Sequence, residues 1–284
     1  EYGHTDGVEI TTGPLGQGLA SAVGFGYAQR FERGLFDPET ADGESPFDHF
    51  TYVIAGDGDM QEGVTNEPAS LAGRQQLGRL VVFYDSNQIS IEDDTDIAFS
   101  EDVAARYESL GWHVQHVDWK KTGEYSEDVE ELYRAVEAAK AETTKPSLIV
   151  LKTIIGWPSP TKQNSGKIHG SALGGEELKG LKEVLGFAPE QTFHVDPEVL
   201  DYTRGAVAKG QAQHAEWQKT FDAWAAANPE KKTLLDRINA GELPEGLEEA
   251  LPVFPTEKAV STRAASGKVI NAIQQETGAD ISVD

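Results

Sequence analysis

Asp57 and Asn87 are the residues of this chain whose types and spacing most plainly offer chemistry. Asp57 sits in Gly56-Asp57-Gly58-Asp59, directly after the apolar run Phe50-Thr51-Tyr52-Val53-Ile54-Ala55, and Asn87 closes Asp85-Ser86-Asn87 after Leu80-Val81-Val82-Phe83-Tyr84. One supplies a hard anionic oxygen and the other a neutral amide oxygen, a pair that suits Mg2+ or Ca2+ better than softer metals. The flanking glycines let the chain turn sharply beside a ligand, and the N–H groups of a following helix can receive phosphate oxygens. Mg2+ tends to share its shell between a few protein oxygens and the phosphates of a ligand, so a diphosphate would complete it. Alone, Gly56-Asp57-Gly58 is better read as a strand-to-helix turn with Asp57 as N-cap. The second strand end, 30 residues on and about one crossover unit away, changes that reading. An EF-hand does not fit: Gln61 and Glu62 stand where an oxygen ligand and the turn glycine belong, and Pro68 where the bidentate Glu belongs. The acids of Glu92-Asp93-Asp94-Thr95-Asp96 read as a solvated loop.

Such a pair needs a scaffold that brings two strand ends together. Helical spacing of Leu19, Val23, Tyr27 and Phe31 predicts a buried helix from Gly16 to about Phe31. Strands are expected at 50–55, 80–84, 112–117 and 147–152, alternating with helices at 64–74, 102–110 and 126–142. Strands without polar alternation, separated by helices, imply an α/β fold: a doubly wound, mostly parallel sheet with helices on both faces. In such a sheet ligands bind beyond the carboxyl ends of the strands, where Asp57 and Asn87 fall. Residues 157–171 read as a polar loop, followed by helices at 175–185, 197–226, 229–239 and 262–277. Trp217, Phe221 and Trp224 form one core-facing helical stripe. Pro244, Pro252 and Pro255 mark a connector, giving a first domain over 1–240, a linker over 241–261 and the start of a second α/β domain over 262–284. Both ends read as cut: residue 1 is not Met, and Ile281-Ser282-Val283-Asp284 looks like a strand just beginning.

Composition excludes several classes. With 48 acidic against 24 basic side chains the formal charge is −24, which argues against nucleic acid or an anionic membrane as partner. No apolar stretch reaches the roughly 20 residues that span a bilayer, so a soluble protein is expected. The absence of Cys removes disulfides, thiolate nucleophiles and zinc-thiolate sites.

The motif residues themselves carry a resemblance. Gly56-Asp57-Gly58 followed at this interval by Asn87 resembles the thiamin diphosphate-binding motif. Thr11-Thr12-Gly13-Pro14-Leu15-Gly16-Gln17-Gly18, Gly56 through Gly63, Tyr84 through Ile91, Lys167-Ile168-His169-Gly170 and Ser261-Thr262-Arg263 together resemble transketolase, along essentially the whole chain. The resemblance implies a transferase of the pentose phosphate pathway, cytoplasmic and homodimeric. It would move a two-carbon ketol unit from a ketose phosphate to an aldose phosphate, with thiamin diphosphate as electron sink and Mg2+, or Ca2+ or Mn2+ in its place, as metal.

Carried over residue by residue, the metal ligands are Asp57, Asn87 and the carbonyl of Ile89. Gly13, Pro14 and Leu15 lie against the cofactor's rings, with Leu15 as an apolar prop. Gly56, Gly58 and Asn87 line the diphosphate, and Ile91 and Ile155 are apolar neighbours, for which ordinary core packing serves equally. His169 stands near the diphosphate and the reacting carbons, where imidazole can donate to an oxyanion or relay a proton and touch substrate. Arg263 grips the sugar phosphate. Glu62, assigned a catalytic role, and Glu67 match acidic positions at a dimer interface, where burial would perturb their pKa values; an exposed first-turn Glu is the simpler account. His4 is given no role, because the family's nearby catalytic His belongs to a His-Pro-Glu element whose Glu would align with Glu1. His49, His113, His116, His194 and His214 carry no motif. The glutamate that activates the aminopyrimidine lies on a following domain, supplied across the dimer, so these 284 residues alone are expected to show no ketol transfer. Other readings are a related thiamin enzyme, dihydroxyacetone synthase or deoxyxylulose phosphate synthase, and a non-catalytic metal- or nucleotide-binding α/β module.

Overall fold

The computed structural model describes residues 2–277. The strand expected at Ile281 to Asp284 lies outside the described residues. The chain divides into two compact bodies, one running to His214 and the other starting at Ala215.

The first body is built on four strands, β1 (Thr51–Gly56), β2 (Leu80–Ser86), β3 (His113–Asp118) and β4 (Ser147–Lys152). Their order is β1-β2-β4-β3, and every pairing is parallel, with Gly56 opposite Asp85 and Ser86 opposite Lys152. Helices α1 (Gln17–Phe36), α2 (Asp57–Gln61), α3 (Asn66–Arg74), α4 (Val103–Ser109), α5 (Val129–Ala141) and α6 (Gly175–Val184) precede, connect or follow them.

Two apolar layers hold the sheet. On one face Leu19 and Val23 of α1, Ala69 and Ala72 of α3, and Val103 and Tyr107 of α4 pack on Ala55, Leu80, Val82, Tyr84, Leu148 and Val150. On the other, Ala135 and Ala139 of α5 cover Val81, Val117 and Ile149. Leu80, Val81 and Val82 are fully buried, each worth about 1.5–3 kcal/mol relative to exposure. The expected helices on both faces are therefore present. Coverage stops short at β1, where alternate side chains Tyr52 and Ile54 are 51% and 85% exposed among the described residues.

Three details differ from expectation for local reasons. Helix α1 runs on to Phe36, whose ring stacks on Phe47 at 5.4 Å. Helix α5 begins at Val129 rather than 126, because Ser126 donates its N–H to Trp119 O at 2.9 Å and Asp128 takes the N-cap, accepting from Glu131 N at 2.8 Å. The stretch 57–61, read as a turn, is itself helix α2.

The second body holds the end of α7 (Pro197–Ala227) with α8 (Pro229–Asn239), α9 (Leu247–Ala250) and α10 (Thr262–Thr277). Trp217 stacks on Phe221 at 5.2 Å and Phe221 meets Trp224 at 5.4 Å, so the aromatic stripe exists. Trp224 is buried and Trp217 is 41% exposed.

Candidate cofactor and metal site

Strands β1 and β2 are neighbours in register, so their carboxyl ends deliver the two motifs to one place. Asp57 is buried at the first position of α2, with Gly56 rather than Asp57 as N-cap. Its carboxylate is thereby free to reach across. Oδ2 accepts the N–H groups of Asn87 and Gln88 at 3.0 and 2.8 Å, and Oδ1 accepts the Tyr84 hydroxyl at 2.6 Å. Gln88 holds φ at 63°, a left-handed conformation costly for a side chain of this kind. Burial raises the Asp57 pKa above its ordinary value, against the lowering effect of these three donors. Burial and the Asp57 carboxylate together raise the Tyr84 pKa.

Asn87 is oriented from both sides. Its amide nitrogen donates to Asp85 Oδ2 at 3.1 Å, and its amide oxygen accepts Ile89 N–H at 3.0 Å. Asp85 in turn accepts the hydroxyl of Thr153, just past β4. The chain then doubles back: Ser90 N–H donates to Asp93 O at 2.9 Å and Thr95 N–H to Gln88 O at 3.0 Å. The acids Glu92, Asp93, Asp94 and Asp96 of that loop are exposed, and no cluster of three or more His, Asp or Glu among the described residues could hold a metal.

The Gly13-Pro14-Leu15-Gly16 turn precedes α1 and meets the Asp57 turn directly. A β-carbon at Gly58 would lie 2.8 Å from the end of the Leu15 side chain, so any other residue there would push Leu15 aside. Gly16, the N-cap of α1, has φ 76°, and a β-carbon on it would lie 2.8 Å from Glu62 and 2.9 Å from Val64. Asp59 joins the two turns, Oδ1 accepting Gly16 N–H at 2.7 Å and Oδ2 accepting Gly56 N–H at 2.9 Å.

The segment leaving β4 carries Ile155 and His169. Asn164 N–H donates to Ile155 O at 2.9 Å. Glu177 of α6 pins this segment, accepting Thr161 N–H at 2.8 Å, Thr161 Oγ1 at 2.7 Å and Lys162 N–H at 3.2 Å, together with the Ser159 hydroxyl. These donors hold the Glu177 pKa at about 2. His169 Nδ1 is buried without a hydrogen-bond partner. Ile91 is 67% exposed, and Ile155 is half-buried.

Glu62, the C-cap of α2, and Glu67, in the first turn of α3, are both exposed in the single chain, as either account allows. Arg263 is exposed at the second residue of α10 in the second body, where Ser261 caps the helix by accepting Ala264 N–H at 3.2 Å.

Sequence reasoning passed over Tyr84 and Asp59. An acid three residues after Gly56 is the reach-back half of a capping box, a signal that was available for Asp59. Nothing in the run Leu80 to Tyr84 marks Tyr84 as polar-facing.

The residues present fit a metal-held diphosphate cofactor. A buried carboxylate with no ion-pair partner among the described residues, a fixed amide oxygen and the nearby main-chain carbonyl of Ile89 are hard donors of the kind Mg2+ takes. The contact between Gly58 and Leu15 and the orphaned His169 nitrogen are further features that such a ligand would use.

A parallel α/β sheet with Gly-rich turns at its carboxyl edge defines the class of domain that binds phosphorylated cofactors there. Residues 1–244 match the family described as the thiamine diphosphate binding domain of transketolase. The chain is 56% identical over 274 residues to the transketolase of Mycobacterium bovis, covering 96% of this chain and 38% of that protein. It is 43% identical to the transketolase of Geobacillus stearothermophilus, covering 96% and 40%. Among solved structures, a Pichia stipitis transketolase complex with sedoheptulose-7-phosphate superposes with a TM-score of 0.82 at 40% identity, covering 94% of this chain and 38% of that one. The chain belongs to the transketolase family. It spans about two fifths of the length of the curated relatives it matches.

Proposed function

We propose that the protein carrying this chain is a transketolase that transfers a two-carbon ketol unit between sugar phosphates as a homodimer, in the pentose phosphate pathway of the cytoplasm. The observation that carries the reading is the Asp57 carboxylate bonded to the backbone of Asn87 and Gln88, which closes two strand-end loops into one donor set. Solved relatives include Pichia stipitis complexes with sedoheptulose and fructose phosphates, which supports sugar phosphates as substrates here.

Thiamin diphosphate supplies the electron sink when bound. Asp57, Asn87 and the Ile89 carbonyl would hold Mg2+, Ca2+ or Mn2+, and the N–H groups around Gly56 and Gly58 would face the diphosphate. Gly13, Pro14 and Leu15, with Ile91 and Ile155, form the apolar wall that supports the rings. His169 donates a proton to oxygen on the substrate or takes one from it, and its unpaired nitrogen leaves it free for that role. Arg263 binds the sugar phosphate through its planar fork. Glu62 faces the second subunit. At net charge −24 the overall field repels sugar phosphates, so these cations and helix N-termini must attract them locally.

Calorimetric titration with thiamin diphosphate, with and without Mg2+, tests this. Metal-dependent binding that Asp57→Ala abolishes is the expected result. Tight Ca2+ binding with no effect of the cofactor would instead mean a non-catalytic module.

A further inference from the structure

The Asp59 carboxylate does more than cap a helix. A reach-back cap at the third position of α2 needs one oxygen, and Oδ2 fills that need on Gly56 N–H at 2.9 Å. Oδ1 accepts Gly16 N–H at 2.7 Å, from a turn 43 residues earlier in the chain. That donor is an N-terminal N–H of a different helix, α1, which has no side-chain cap of its own. Around it the packing is already tight: Gly16 is buried against Glu62, Val64 and Thr65, and Leu15 lies on Gly58. No ion pair among the described residues includes Asp59, so both oxygens serve backbone N–H groups.

We propose that Asp59 is a positioning residue that buckles the Gly13–Gly16 turn onto the Gly56–Gly58 turn, setting the distance between the surface that supports the cofactor's rings and the one that takes its diphosphate. This rests on the thiamin diphosphate reading above. Its consequence is specific to ligands that span both turns. A ligand carrying rings and diphosphate together needs the two turns in register, whereas inorganic pyrophosphate with Mg2+ needs only the second. A residue that merely supported the fold would weaken both alike.

The test is Asp59→Asn in the protein at its natural length. The change is nearly isosteric but presents an NH2 group to one of the two backbone N–H donors. Losing one charge-assisted bond, roughly 1.5–3 kcal/mol, corresponds to a rise of about tenfold or more in the Kd of thiamin diphosphate with Mg2+, with Mg2+-pyrophosphate changing by less than about threefold. Unchanged affinity for both ligands overturns the proposal, and so does an equal loss for both. Asp57→Ala is the control: if it leaves both ligands bound as before, the thiamin diphosphate reading itself has failed. Should Asp59→Asn not fold, amide exchange in the unaltered apo protein reads the same bond. Slow exchange at Gly16 supports the buckle, and exchange at the unprotected rate overturns it.

Discussion

At the amino end of the sheet, Asp48 is buried between two guanidinium groups, 3.2 Å from Arg33 and 3.5 Å from Arg79, and Asp42 pairs with Arg79 as well. At the carboxyl end, Asp57, Asp59 and Asp85 meet N–H and O–H donors but, among the described residues, no ion pair includes them. The entrances of β1 and β2 are thus supplied with paired cations, while the carboxyl ends of these two strands lack one among the described residues; further along that edge Lys152 pairs with Asp118 at 3.5 Å. Dipoles can orient a buried carboxylate, but they do not repay its desolvation as a full cation does, and the raised Asp57 pKa records the difference.

The sharpest way to break the comparison is Asp57→Asn. Metal-dependent binding of thiamin diphosphate should be lost by more than the roughly 10–100-fold that altering an outer-shell partner costs. The apo protein should become more stable at the same time. A carboxylate whose folded pKa lies above its ordinary 3.8 gives stability that is complete below that value and lost as pH rises through the folded pKa, so at neutral pH the ionised group is a burden. Removing the charge lifts it, and thermal melts of the metal-free proteins at pH 7 should show a higher Tm for the variant. A lower Tm would mean that Asp57 is already compensated.

The opposite end should respond in the opposite way. Arg33→Ala leaves Asp48, with its side chain 3% exposed, partly unpaired, and should cost about 3 kcal/mol of stability with cofactor affinity unchanged. Urea unfolding together with a cofactor titration reads both quantities. Tyr84→Phe probes the carboxyl end more gently, removing one buried hydroxyl from Asp57 Oδ1. Its expected effect is a loss of about 1–2 kcal/mol in apo stability and a metal affinity about tenfold weaker. Metal affinity equal to that of the unaltered protein would show that Tyr84 does not orient the ligand.

The sequence disclosed one end and hid the other for a physical reason. Asp57 and Asn87 stand where apolar strands stop, and a parallel sheet brings such positions together whatever the details of packing. The cluster of Arg33, Asp48 and Arg79 joins the end of a helix, a loop and a strand entrance, with no shared spacing to mark it. Tyr84 reads as one more apolar residue of β2, and only the register opposite Ala55 turns its hydroxyl toward Asp57. The exposure of Tyr52 and Ile54 was equally invisible, because a strand's own composition does not say which face a helix covers. Asp59 lies between these cases: its local cap was legible and its link to Gly16 was not.

Glu177 sharpens the comparison most finely, since it resembles Asp57 in its donors and differs in its surroundings. Both carboxylates accept backbone N–H and hydroxyl groups, and no ion pair among the described residues includes either. Asp57 is buried and its pKa rises, whereas Glu177 keeps contact with solvent and its pKa falls to about 2. At Asp57 burial outweighs three donors, and at Glu177 four donors outweigh the smaller burial. For a depressed carboxylate the stabilisation is present above the ordinary value of 4.5 and is lost as pH falls toward 2. The segment holding His169 should then stay pinned through mild acid and loosen only in that window. The amide resonances of Thr161 and Lys162 report this directly, and their shifts should titrate with a midpoint near 2 and cease to titrate in Glu177→Gln. A midpoint at the ordinary glutamate value would show that the hydroxyl and amide donors do not hold the carboxylate in solution, and that the segment is anchored by its apolar contacts instead.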